Sequence, residues 1–351
     1  MTRNTFYKIL LAGLFLLASC TNRYATATTQ PVIKETETSI DSIITATAVN
    51  TMTATIAPSP ISDTSTSNST INEKFLIIDQ RDYYLSTLDG LVSLLLFSGK
   101  DSPIEMASLS PDQTQFAYFK DNFIYIQNIE TRTTFALNKD VIGSAEGNIK
   151  WSPDGKKLFM SCANSQQPSM AVCVIDTSNG QIDVLLNEKN TDEICHVNIN
   201  SIIAFQDISS DGTKIVYSCS IVSEQGQRAP FAVYIYDMVS KTSAKILDSQ
   251  TQDAVWEFHT VLLPRDGNSL LIDGADQNHM LNVYLLDWKT GTLKQLTGDP
   301  TYHFVATAWN NKESFYLHRT SVNKPYTEEN FLMDTNGRIL STLEIQGMIT
   351  R

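Results

Sequence analysis

The chain has 351 residues, 42% of them apolar, enough to bury one large core or two ordinary ones. Its 38 acidic side chains outnumber 26 basic ones, for a net charge of −12, and a surface of that sign repels phosphate backbones, which argues against nucleic acid as a partner. Acidity otherwise favours solubility and says little about fold.

Residues 1–8 carry Arg3 and Lys8 and no acid, and residues 9–18 are apolar throughout. That run has the length of a signal-peptide core and is too short to span a bilayer. It ends in Leu17-Ala18-Ser19-Cys20, which resembles a bacterial lipobox. The resemblance implies a signal peptide over 1–19, cleavage before Cys20 and lipidation of its thiol. Two or three acyl chains anchor a protein far more firmly than one. The chain is therefore expected to be exported, in the periplasm or at the cell surface, with the membrane as a partner through its lipid. The alternative is an ordinary signal peptide with an incidental cysteine.

From 21 to 70 the composition shifts to 14 Thr and 7 Ser, with three Pro and no Gly. Hydroxyl-rich, aromatic-poor sequence buries too little to offset its ordering entropy. Residues 20–72 read as a disordered tether, with a reach of about 40 Å as a flexible coil.

The remainder repeats. One unit is a pair of β-rich runs joined by a polar turn: Val172-Cys173-Val174-Ile175-Asp176, then Thr177-Ser178-Asn179-Gly180, then 182–186. It recurs at 83–97, 124–137, 233–247, 283–296 and 330–343, and these turns are good hairpin chemistry. A second motif precedes most of these pairs: Ser110-Pro111-Asp112, Trp151-Ser152-Pro153-Asp154-Gly155, Ser209-Ser210-Asp211-Gly212 and Pro264-Arg265-Asp266-Gly267, with Trp309-Asn310-Asn311-Lys312 as a degraded copy. Residues 74–345 divided by six give about 45 per unit, the size of a four-stranded propeller blade.

These residues resemble the Pro-Asp repeats of TolB-type propellers, cousins of the WD-like repeat. The resemblance implies an all-β fold over 73–351: a six-bladed β-propeller of four-stranded antiparallel blades, preceded by the tether. The first unit has room for only three strands, so its inner strand must come from 346–351 or from the end of the tether. An open edge would invite aggregation.

Besides Cys20 the chain has Cys162, Cys173, Cys195 and Cys219, an even set that favours disulfides in an exported protein. Cys162 and Cys173 fall on strands joined by one loop, and Cys219 repeats the position of Cys162 in the next blade. The expected pairing is 162–173 with 195–219, out of three possible. No Cys-x-x-Cys spacing supports a metal site.

The turn aspartates, and Asp176, Asp237 and Asp287 at the ends of third strands, read as structural, because Asp caps its own turn. The segments entering the inner strands converge on one mouth of the channel. They carry Glu105, Glu146, His196, Trp256, Glu257, His259, Tyr302 and His303, and aromatic and His side chains at a concave mouth suit binding. No nucleophile elbow, metalloprotease helix or calcium loop appears. The expectation is a monomeric, non-catalytic module without cofactor or bound metal, recognising a protein, peptide or glycan at this mouth. The alternative is an extracytoplasmic polysaccharide lyase or hydrolase using Glu146, His259 and His303. A third reading, docking through blade edges, predicts a bland channel and an exposed apolar rim.

Overall fold

Short runs of apolar and β-favouring side chains, bounded by polar turns, become the strands. The computed structural model describes residues 74–350, apart from 89–92, 101–103, 105, 122, 139–141, 144–147, 165–166, 188–190, 192–200, 222–230, 250–253 and 265–268. The expected signal peptide, Cys20 and the expected tether lie outside the described residues, as do Glu105, Glu146, Cys195 and His196.

The strands form six antiparallel sheets. Blade 1 holds β1 (Lys74–Asp79), β2 (Asp82–Thr87) and β3 (Ser93–Ser98). Blade 2 runs β4 (Met106–Leu109), β5 (Gln115–Lys120), β6 (Phe123–Asn128) and β7 (Thr134–Asn138). In blade 3 the inner position is shared by β8 (Ile142–Gly143) and β9 (Ile149–Trp151), which pair with successive parts of β10 (Lys157–Asn164); β11 (Gln167–Asp176) and β12 (Ile182–Leu186) follow. Blade 4 is β13 (Ser201–Ile208), β14 (Lys214–Ile221), β15 (Phe231–Asp237) and β16 (Thr242–Asp248). Blade 5 is β17 (Glu257–Leu262), β18 (Ser269–Ala275), β19 (Leu281–Asp287) and β20 (Thr292–Gln295). Blade 6 is β21 (Tyr302–Asn311), β22 (Ser314–Ser321), β23 (Glu328–Asp334) and β24 (Ile339–Leu343). The last strand, β25 (Met348–Thr350), pairs with β1, Ile349 opposite Ile77, and completes blade 1. The chain is thus an all-β, six-bladed propeller. Of the two sources considered for the missing inner strand, the C-terminal tail supplies it.

The repeated turns work through one serine and one aspartate. Ser152 Oγ donates to Asp154 Oδ1 at 2.6 Å and accepts the Lys157 N–H at 2.9 Å, while Asp154 accepts the Lys156 N–H. Ser110 with Asp112 and Ser209 with Asp211 repeat the arrangement. In the degraded copy, Asn311 Oδ1 accepts the Glu313 N–H and Asn310 Nδ2 donates to Ser314 Oγ. Asp176, Asp237 and Asp287 likewise accept N–H groups of the turns they open.

The core is divided among the joints between blades. Among the described residues, six apolar clusters lie one at each joint, with nine to eleven buried residues at five of them and five at the joint of blades 6 and 1, and a small seventh forms around the disulfide within blade 3. Polar staples cross the joints as well. Trp151 Nε1 donates to Ser108 O and Trp309 Nε1 to Leu262 O, both at 3.2 Å. Ser161 Oγ, Asp207 Oδ2 and Asp273 Oδ1 accept backbone N–H groups of Phe205, Leu263 and Ala306 on the next blade. Cys162 and Cys173 are joined by a disulfide across β10 and β11, Cα atoms 5.9 Å apart. Cys219 is also disulfide-bonded.

Candidate functional site

In an antiparallel meander the starts of the inner strands and the loops between second and third strands share one face. The Ser-Pro-Asp turns share the other. These are called here the entry face and the turn face. Glu257, His259, Tyr302 and His303 begin β17 and β21 and so lie on the entry face at blades 5 and 6, with Trp256 just ahead of β17.

A β-bulge shapes this corner. Phe258 pairs with Gly274 and Thr260 with Asp273, leaving His259 as the extra residue. Bulges re-aim the side chain they carry. Gly274 makes room for it, since a Cβ there would lie 2.6 Å from Val255 Cγ1 and 3.0 Å from Glu257 O. The His259 side chain is exposed to solvent, although neighbouring protein partly desolvates it. Burial lowers its pKa, the Glu257 carboxylate acts in the opposite direction and His303 adds a smaller lowering. Burial also lowers the pKa of His303. Burial thus favours the neutral form of both imidazoles. His303 Nδ1 accepts the Leu281 N–H at 3.2 Å, which leaves the ring proton on Nε2.

Two residues absent from the sequence reading join the corner. His279 Nδ1 lies 3.0 Å from Glu257 Oε1. It sits in the β18–β19 loop with φ of 60°, a left-handed conformation that costs a non-glycine residue about 1 kcal/mol or more. Asp276 holds that loop by accepting the Asn278 and Met280 N–H groups. Arg319 stacks its guanidinium on Tyr302, 4.3 Å from the ring centroid, and on Phe331 at 4.6 Å, and pairs with Glu329 at 2.8 Å. The Tyr302 ring is thus occupied within blade 6. The structure brings together Glu257, His259 and His303, with Trp256 one residue away in the chain. Among the described residues, no three His, Cys, Asp or Glu side chains are grouped to hold a metal ion.

The turn face has its own concavity. An open concavity of about 790 Å³ is framed by the far ends of the inner strands of blades 2 to 6, with Trp151, Trp309, Lys150, Asp207 and Leu263 in its lining. Asp207 is nearly inaccessible and burial raises its pKa, against the pull of Lys150 and of the Leu263 and Ile208 N–H groups.

No protein-family model matches the chain, and no curated protein is similar to it in sequence. Solved structures are similar in fold. TolB from Acinetobacter baumannii superposes with a TM-score of 0.54 at 17% identity, covering 79% of this chain and 64% of that one, so the chain spans less than two thirds of its length. A putative TolB from Agrobacterium tumefaciens gives 0.54 at 13% identity over 78% and 90%. The nidogen/laminin complex gives 0.52 at 11% identity over 79% and 96%. The class is therefore a six-bladed propeller resembling TolB propellers. At such identities the likeness concerns fold, and fold does not carry function.

Proposed function

We propose that the chain is an exported, lipid-anchored propeller that binds a protein, peptide or glycan ligand without catalysis at the entry-face mouth of its channel. The observation that supports this most is the gathering of Glu257, His259 and His303 at the joint of blades 5 and 6, with His259 on a bulge, His303 bonded to the Leu281 N–H and Glu257 beside His279. Neutral imidazoles beside a carboxylate offer both donors and acceptors to a polar ligand. The test is capture on peptide and glycan arrays by the full chain, compared with His259→Ala/His303→Ala. Loss of the captured set in the variant is the expected result; an unchanged set refutes the mouth as the site. The lyase or hydrolase alternative draws on the same residues, and turnover of any captured glycan would decide for it. Cys20→Ser is expected to move the protein from the membrane to the soluble fraction; retention in the membrane refutes the anchor.

Docking through blade edges is favoured by a different observation. β3, β7 and β24, on three consecutive blades, contain no charged residue and expose Leu94, Leu95, Phe135, Ile339 and Leu340. The outer strands of blades 3 to 5 each carry a charge, the usual protection of an edge.

A further inference from the structure

We propose that Asp273 makes the joint of blades 5 and 6 a pH-sensitive switch for the entry-face mouth: protonated, its carboxyl group braces β17 against β21 and holds His259 near His303; ionised, it opens the joint and draws them apart. As regulation of the mouth, this rests on the reading of the mouth as the binding site. Asp273 stands on β18 opposite Thr260, beside the bulge that carries His259. Its two oxygens reach the two inner strands of the joint. Oδ2 meets the Thr260 hydroxyl of β17 at 2.7 Å, and Oδ1 accepts the Ala306 N–H of β21 at 2.9 Å. Ala306 and His303 share β21, so one carboxyl group links both histidine-bearing strands. It is only 2% exposed. Among the described residues, the titratable side chains on the strands packed against β18 are Glu257 and His259 of β17, Tyr284 and Asp287 of β19, and Tyr302 and His303 of β21. None of them acts on the Asp273 carboxyl, whose ionisation is opposed by burial and helped by the Ala306 and Thr260 hydrogen bonds. An ionised carboxylate can accept about four hydrogen bonds. Two are present here, neither from a cation. In the protonated form Oδ2–H can donate to Thr260 Oγ1 while Oδ1 keeps the Ala306 N–H, and no charge is buried. After ionisation the Thr260 hydroxyl becomes the donor, and the remaining lone pairs need water, which enters as the joint opens. The proton leaves at about pH 7, above the range in which the two imidazoles, lowered by burial, change charge.

The test is hydrogen–deuterium exchange by mass spectrometry on the ligand-free full chain at pH 6 and pH 8, with labelling times scaled for the chemical exchange rate. Proton linkage at one carboxyl group predicts exchange about tenfold faster at pH 8 in the segments holding β17 and β21, with the inner strands of the other blades unchanged. Asp273→Asn reproduces the protonated form, its amide donating to Thr260 Oγ1. It should show equal protection at the two pH values, with the melting temperature showing that it folds. Equal protection of the parent at both pH values would overturn the proposal, as would a loss at pH 8 that persists in Asp273→Asn. A loss spread evenly over all blades would assign Asp273 to overall stability and remove the switch. This readout needs no ligand, so it stands or falls apart from capture at the mouth, which the arrays test. Where the arrays capture a ligand, capture by the parent that is the same at pH 6 and pH 8 would overturn the regulatory role.

Discussion

Asp273 lies wholly inside the joint of blades 5 and 6, and burial pushes its carboxyl up to about 7, against the hydrogen bonds from Ala306 and Thr260. The unfolded chain releases this proton near pH 4, whereas the folded one holds it until near pH 7. The folded state therefore binds more protons between those values, and stability falls as pH rises through the window, by about 4 kcal/mol in all. Asp273→Asn should remove this slope; denaturant titrations of both proteins at pH 5 and pH 8 read it as a difference, which cancels the contribution of other groups. The turn aspartates act with the opposite sign. Asp211 is held at about 2, first by the Ser209 hydroxyl, so its contribution is present above pH 4 and is lost on acidification. At the bulge, Gly274→Ala would force a methyl group against Val255 and Glu257 O. The expected outcome is a loss of about 1–3 kcal/mol and a changed His259 titration by NMR. An unchanged titration would show that the bulge does not orient that ring.

At the scale of the element, the Ser-Asp turns differ in one position. Gly155 and Gly212 adopt φ of 69° and 70°, and Gln113 occupies the equivalent place at 60°. Gly212→Ala combines that backbone conformation with a Cβ 3.2 Å from the Pro153 ring. It should cost about 1–2 kcal/mol, measured by chemical denaturation. The disulfide of blade 3 closes a short loop, its cysteines 11 residues apart. By the loop-entropy estimate, Cys162→Ser/Cys173→Ser should destabilise the protein by about 3 kcal/mol. An equal stability of the variant and the parent would mean that β10 and β11 are held by their ladder alone.

For the whole molecule the weak point is the closing joint. Among the described residues its cluster has five buried members, Phe75, Ile77, Ala308, Tyr316 and Ile349, and one of these, Ile349, belongs to the closing strand. Asn330 steers that strand into place. Its Nδ2 donates to Ile345 O at 2.9 Å and Gly347 O at 2.8 Å, and its Oδ1 faces His318 Nδ1 at 3.1 Å. Ile349→Ala should cost about 2–4 kcal/mol. Deletion of 346–351 should expose β1 as an inner edge and produce oligomers by size-exclusion chromatography. A deleted chain that remains monomeric with an unchanged melting temperature would mean that the ring does not depend on its clasp.

The repeat was legible because its signals are local. A serine or aspartate that satisfies its own turn leaves the same trace in every unit, and the count of units set the number of blades. The 162–173 disulfide was legible for the same reason, since one loop joins its strands. Other features depended on the ring being closed. Two segments were candidates for the inner strand of blade 1, and the pairing of Ile349 with Ile77, in the same cluster as Phe75 and Tyr316, decided between them. His259 and His303 are 44 positions apart, and a bulge and the joint of two blades bring them together. His279 escaped notice because its loop meets Glu257 only after β18 and β19 fold back. The turn-face cavity has five separate strands as walls, and no single one of them marks it. The amino-acid sequence by itself determined the blade and its repetition, through turn chemistry and alternation. The tertiary structure alone decided how the ring closes and which side chains meet, because both depend on packing between residues far apart in the chain.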